Sequence, residues 1–264
     1  MNKILILGYN SMIGSEFIKQ YKRNYILHAY NRGTKRNIKV DREINGNINE
    51  LNKNPEIDKD YDYIINLIFL ENKSVNDNLA YIEQVINIIS IQTNLKKLIH
   101  ISSTMVHGYG NKSVSISSPP NAEKNLFGYS LIKSETESLL HKKINNLNII
   151  RFGFVTEDYD FTIKKFFKIF ALFKGTFNRV IPVTKKSTAL NSIQNCITKE
   201  VNEKVIISID EECSYSSLTD NVHGLFFYIP KTAYLLILFF SKIFHVKKLE
   251  ARIRILNTRV TYGE

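Results

Sequence analysis

Short apolar runs alternate along most of the chain with stretches whose apolar residues recur at helical spacing. Ile4-Leu5-Ile6-Leu7 ends in a glycine-containing turn, and Met12, Ile13, Phe17, Ile18 and Tyr21 then mark one helical face. Residues 25–30, 38–40 and 61–67 read as strands. Leu79, Ile82, Val85, Ile86 and Ile89 place a helix over residues 78–91. A strand over 98–102, a helix over 129–140 and a strand over 147–151 follow. Strand–helix alternation of this kind builds βαβ units, whose crossovers are right-handed, and so a doubly wound parallel sheet, a Rossmann fold.

After Val155 the pattern changes. Residues 161–173 read as an amphipathic helix with Lys164, Lys165 and Lys168 among five phenylalanines, expected to pack its apolar face on the sheet and show its lysines to water, with a position on a membrane surface as the alternative. Helices over 189–198, 216–227 and 231–244 and a strand over 204–209 complete the tail. The expected division is a dinucleotide-binding part over 1–155. A small mixed α/β substrate lobe over 156–264 is interleaved with the last strands.

Composition narrows the function. The chain has 264 residues, 44% of them hydrophobic and 23% charged, which excludes wholesale disorder. Two cysteines, Cys196 and Cys213, exclude a disulfide framework and paired-CxxC zinc sites and fit a reducing, cytoplasmic setting. No metal site is expected. The apolar run from Ala233 to Phe240 is too short to span a bilayer, and the N-terminal run lacks a cleavage site, so neither stable insertion nor secretion is expected. The net charge of +11 is scattered without a nucleic-acid motif and reads mostly as solvated surface.

Candidate chemistry sits at two places. Gly8-Tyr9-Asn10-Ser11-Met12-Ile13-Gly14 lies between the first strand and the first helix. Glycines there permit a tight turn and close helix packing, and the helix amides face a pyrophosphate. Ser11 stands where a middle glycine is usual; it can cap the helix and donate to phosphate. The second strand ends at Asn31-Arg32, with Lys35 and Arg36 behind. Arginine in place of an acidic residue suits a 2′-phosphate, so NADP is expected, with NAD possible. Further on, Ser102-Ser103-Thr104 ends a strand and Tyr129 and Lys133 share one helix face at i, i+4. A lysine beside a phenol favours phenolate, which would make Tyr129 a usable acid–base group, and Ser103 can bind a substrate oxygen.

Taken together, residues 8–14, Ile101-Ser102-Ser103…Val106-His107-Gly108, Tyr129…Lys133 with Glu137, and Ile149-Ile150-Arg151-Phe152-Gly153 resemble the extended short-chain dehydrogenase/reductase family. That family comprises the NAD(P)-dependent nucleotide-sugar epimerases, dehydratases and reductases. The resemblance implies Ser103 polarising a carbonyl, Tyr129 as general acid/base and Lys133 tuning the tyrosine and holding the nicotinamide ribose. It implies that Asn78 opens its helix and supports the Ser103 strand and cofactor, that Asp41 lies near the adenine, and that the cofactor passes Leu67. A histidine, His107, replaces the usual tyrosine before Gly108. Thr104-Met105 lack both the acidic pair of the 4,6-dehydratases and the cysteine of the 3,5-epimerase/reductases. The expected activity is therefore 4-keto reduction of a nucleotide sugar, in surface polysaccharide biosynthesis, with 4-epimerisation as the alternative and a non-catalytic NADP sensor as a third reading. A homodimer through the helices beginning near Asn78 and Tyr129 is a possibility of the same resemblance.

Overall fold

The structure, a computed structural model, describes residues 1–31, 38–71, 73–108, 111–115, 128–156, 180–199, 201, 203–214, 231–243 and 259–263. Arg32, Lys35 and Arg36 and the helices expected over 161–173 and 216–227 lie outside them.

Seven parallel strands form the main sheet: β1 (Lys3–Leu7), β2 (Ile26–Asn31), β3 (Arg42–Asn45), β4 (Tyr63–Asn66), β5 (Lys97–Ser103), β7 (Leu147–Phe152) and β10 (Val205–Ser208). Their spatial order is β3-β2-β1-β4-β5-β7-β10. The chain leaves β1 toward one edge, then crosses back to β4 on the other side. This reversal opens a crevice beyond the carboxyl ends of β1 and β4, the ligand position of such sheets. These strands are nearly continuous apolar runs because both faces are covered. Ile4, Ile6, Ile65, Ile99, Ile101 and Ile150 pack against α1 (Met12–Tyr21) and α4 (Lys186–Thr198). Leu5, Leu7, Ile64, Leu98 and Ile149 pack on the opposite face, under α2 (Val75–Ser90) and α3 (Tyr129–Lys143).

Two expected boundaries move for local reasons. The third strand is Arg42–Asn45, not 38–40. Asp41 bonds Leu27 through both its amide (3.1 Å) and its carboxylate (2.8 Å), and the ladder with β2 starts only after it. Ile38 and Val40 still pack on the core, from outside a strand. Helix α2 starts before Asn78, because Ser74 and Asp77 form a reciprocal capping box.

A second sheet joins β11 (Glu211–Ser214), β9 (Val180–Lys185), β12 (Arg259–Gly263) and β6 (Asn111–Ser115), with β8 (Phe154–Thr156) on β9. The two sheets exchange chain: β6 comes from before residue 155, while α4 and β10 come from after it and complete the main sheet. Helix α5 (Lys231–Ile243) is the remaining described helix. Among the described residues no helix is long and apolar enough to cross a membrane.

Candidate active site

Gly8 leaves β1 with φ +91°, a conformation that disfavours any side chain. A Cβ on Gly14 would lie 2.8 Å from both the Gly8 carbonyl oxygen and the Tyr9 Cα, and 3.0 Å from the Leu67 side chain. The loop therefore needs both glycines, the more so because Leu67 and Ile68 press on it from the end of β4. Ser11 is the N-cap of α1, its Oγ accepting the Gly14 amide at 3.0 Å. The first-turn amides of Met12 and Ile13 lack intrahelical acceptors by helix geometry, and they stand at the start of α1 directly after the loop that leaves the carboxyl end of β1. This cradle fits a dinucleotide pyrophosphate.

Three residues expected at the cofactor have other partners in the structure. Asp41 lies at the amino-terminal end of the sheet, tied to Leu27, four residues or about 13 Å along the strand from the Asn31–Asn45 pair. The chain reaches the crevice again at Gly46 and Asn47, just past β3. Asn31 is buried, accepting from Asn10 at 3.3 Å and donating to Glu43 at 2.8 Å, so its side chain braces the loop. Asn78 holds the β4–α2 connection by accepting the Leu70 amide (3.0 Å) and donating to the carbonyls of Leu70 (3.2 Å) and Ser74 (3.0 Å). Its support of β5 and of a cofactor can act only through that connection.

Ser103 ends β5, where its Oγ caps a short 3-10 turn (Thr104–His107) by accepting the Met105 amide at 3.2 Å. Tyr129 opens α3 directly after Gly128, on the helix that packs against the turn following Ser103. Although 41% of Tyr129 is exposed, desolvation of the phenol raises its pKa above the ordinary 10.0, offset in part by Ser103. Lys133, one turn on, is buried and donates to the Ile101 carbonyl at 2.7 Å. Its Nζ lies 5.9 Å from the centroid of the Tyr129 ring, and burial lowers its pKa to about 8 while Glu137 opposes the drop. The expectation that lysine pulls the phenol toward phenolate is thus not met in this geometry: the ammonium turns to a backbone carbonyl, and desolvation keeps the proton on Tyr129.

Family membership follows from the match between residues 4–150 and the model of the NAD dependent epimerase/dehydratase family, which spans more than half the chain. The chain belongs to that family. No curated protein matches its sequence. Among solved structures it is similar to the UDP-glucuronic acid 4-epimerase from Bacillus cereus in complex with UDP-glucuronic acid and NAD (18% identity, 86% of each chain, TM-score 0.67). It is similar too to the Bordetella bronchiseptica enzyme WbmG in complex with NAD (17% identity, 88% of this chain and 82% of that one, TM-score 0.68). A third is the dTDP-glucose 4,6-dehydratase of Bacillus anthracis (14% identity, 83% and 79%, TM-score 0.67). At these identities the likeness is one of fold.

Around the motif residues, this epimerase/dehydratase-family chain adds partners that sequence reading missed. Phe69, from the β4–α2 connection, packs edge-on against Tyr129 with ring centroids 4.7 Å apart, and lies 5.5 Å from Lys133 Nζ. Glu43 accepts from both Tyr9 (2.7 Å) and Asn31 (2.8 Å), locking the glycine loop to β3. Beneath the site, Tyr81 donates to Asn66 (2.7 Å), whose amide meets His100 Nδ1 at 3.1 Å. Full burial and the nearby Lys133 push the His100 pKa well below its ordinary value, so the ring is neutral. None of these had a signal beyond being polar or aromatic, near a strand end or, for Tyr81, within a helix.

His107, the reserve proton donor of the sequence, is buried, and its Nε2 accepts from Arg151 at 3.1 Å. Arg151 is also bound to Glu137 by three hydrogen bonds of 2.7–3.2 Å. That commits His107 to a buried network rather than to substrate.

Proposed function

We propose that this chain is a nicotinamide-dependent enzyme that reduces the 4-keto group of a nucleotide sugar. The observation that carries the reading is the set at the carboxyl end of β5: Ser103 ends the strand, Tyr129 opens α3 with a phenol whose desolvation favours its protonated form, and Lys133 Nζ lies 5.9 Å from the phenol ring. Such a set can bind an electron-rich oxygen and hand it a proton. Thr104 and Met105, which follow Ser103, offer no further acid or base, so the chemistry is confined to one carbon and its oxygen.

A bound nicotinamide would supply hydride to that carbon. Residues 8–14, with the amides of Met12 and Ile13, hold the pyrophosphate, and Leu67 lines the path between loop and site. Ser103 polarises the sugar oxygen, Tyr129 protonates it as negative charge develops, and Lys133 binds the nicotinamide ribose. Arg32 and its basic neighbours favour NADP over NAD. A 4-epimerase is the second reading, favoured by the likeness to a UDP-glucuronic acid 4-epimerase whose structure holds NAD.

The test is to offer the purified chain a UDP-linked or dTDP-linked 4-keto sugar with NADPH or NADH and follow loss of reduced nicotinamide. Stoichiometric consumption, falling about 10²–10⁴-fold in Tyr129→Phe with cofactor binding retained, is expected. Arg32→Asp should shift preference from NADPH to NADH. Interconversion of 4-epimers without net cofactor consumption would replace the reductase reading with the epimerase one.

A further inference from the structure

Helix α5 has a composition that an exposed helix of a globular protein rarely has. Its sequence is Lys231-Thr-Ala-Tyr-Leu-Leu-Ile-Leu-Phe-Phe-Ser-Lys-Ile243. Leu235, Leu236, Ile237, Phe239 and Phe240 are 41–57% exposed. At ~100° per residue they cover an arc of roughly 200°, with Leu235 and Phe239 in one row and Leu236 and Phe240 in the next. Single exposed apolar residues need no explanation, but five large ones side by side mark an interaction surface.

Charge decides between possible occupants. Between Asp220 and Glu250 the sequence has no acidic residue, while it carries Lys231, Lys242, Lys247 and Lys248. Lys231 and Lys242 are three turns apart and fall in the row of Leu235 and Phe239. A second copy packed on this surface would bring lysines toward lysines with no carboxylate in the segment to pair them. An anionic lipid surface answers both features: the uncompensated positive charge of the segment draws it to lipid phosphates, and acyl chains take the exposed leucines and phenylalanines. Thirteen residues span about 20 Å, short of the ~30 Å hydrocarbon core, so the helix lies in the plane of the interface instead of crossing it.

We propose that α5 is a reversible membrane-surface anchor that holds this enzyme on anionic bilayers. None of its residues is assigned a part in the reaction at Ser103, Tyr129 and Lys133, and the proposal stands or falls independently of that reaction.

The experiment is vesicle flotation of the purified full chain, using phosphatidylcholine with and without phosphatidylglycerol. Binding to the anionic vesicles should be at least about tenfold tighter than to neutral ones and should weaken in high salt. The double variant Leu235→Ser/Leu236→Ser should lose flotation, and Lys242→Glu should weaken it. The double variant should keep the parent's thermal midpoint and turnover of soluble substrate, because Leu235 and Leu236 are exposed. No flotation, equal binding to neutral vesicles, or flotation retained in the double variant would overturn the anchor. So would a concentration-dependent dimer that the double variant dissolves without any vesicle binding, which would make the apolar rows a self-association face.

Discussion

Lys133 is an ammonium group taken out of water, held by one backbone carbonyl at 2.7 Å and by the field of Glu137. Its pKa falls from 10.5 to about 8, which has a consequence for stability. Between those values the unfolded chain binds the proton and the native chain releases it. Stability contributed by this group therefore rises with pH from about 8 toward 10.5, and is at its lowest and constant below about 8. Tyr129 works the other way only above its ordinary 10.0, because its native pKa is raised. Urea midpoints measured over pH 8 to about 9.5 should thus climb in the parent and climb less in Lys133→Met. Equal slopes in the two proteins would mean that another group titrates. At this scale the sequence disclosed the tyrosine–lysine spacing but not the direction of either pKa. Direction depends on desolvation, and no residue's burial is written in its own neighbours along the chain.

Three elements meet at one buried ion pair. Glu137 on α3 and Arg151 on β7 are both essentially unexposed, and Arg151 reaches on to His107 in the turn after Ser103. The pair thus fixes the helix that carries Tyr129 and Lys133 against the strand end that carries Ser103. Removing one partner of such a pair leaves the other charged and buried, at a cost of about 3–5 kcal/mol, whereas replacing both by apolar residues is much milder. Glu137→Gln should therefore lower the denaturation midpoint sharply, and Glu137→Leu combined with Arg151→Met should regain most of it. If the double variant were as unstable as the single one, the pair would be a net source of stability and not a device for alignment. Glu137 and Arg151 were visible as motif residues. Their union was not, because α3 and β7 meet only when the helix folds back across the sheet.

The two sheets are built from exchanged segments, and this governs how the whole chain folds. One face of the main sheet is covered by α4, whose Ala189, Leu190, Ile193 and Ile197 are buried with Ile99, Ile101 and Ile150. The outer edge of β7 is paired with β10, from Val205↔Ile149 to Ser208↔Phe152. A fragment ending at residue 155 would expose that apolar face and that strand edge together, which favours aggregation. Expressed alone, it should be insoluble or molten, while the full chain unfolds in one cooperative transition. A soluble, cooperatively folded fragment would show that residues 1–155 are a domain in their own right. By itself the sequence determined the strand–helix alternation, the parallel sheet, the glycine turn and the one-turn spacing of Tyr129 and Lys133, because each rests on periodicity or on residues close in sequence. Only tertiary structure decided the rest. Asp41 sits at the wrong end of its sheet because a hydrogen bond to Leu27 delays the strand. His107 is spent on Arg151. Phe69 enters the site from a connection whose sequence carries no periodic signal, and Glu43 reaches the glycine loop from β3 by a bond to Tyr9. Long-range register and desolvation set these features, and both exist only once the sheet is assembled.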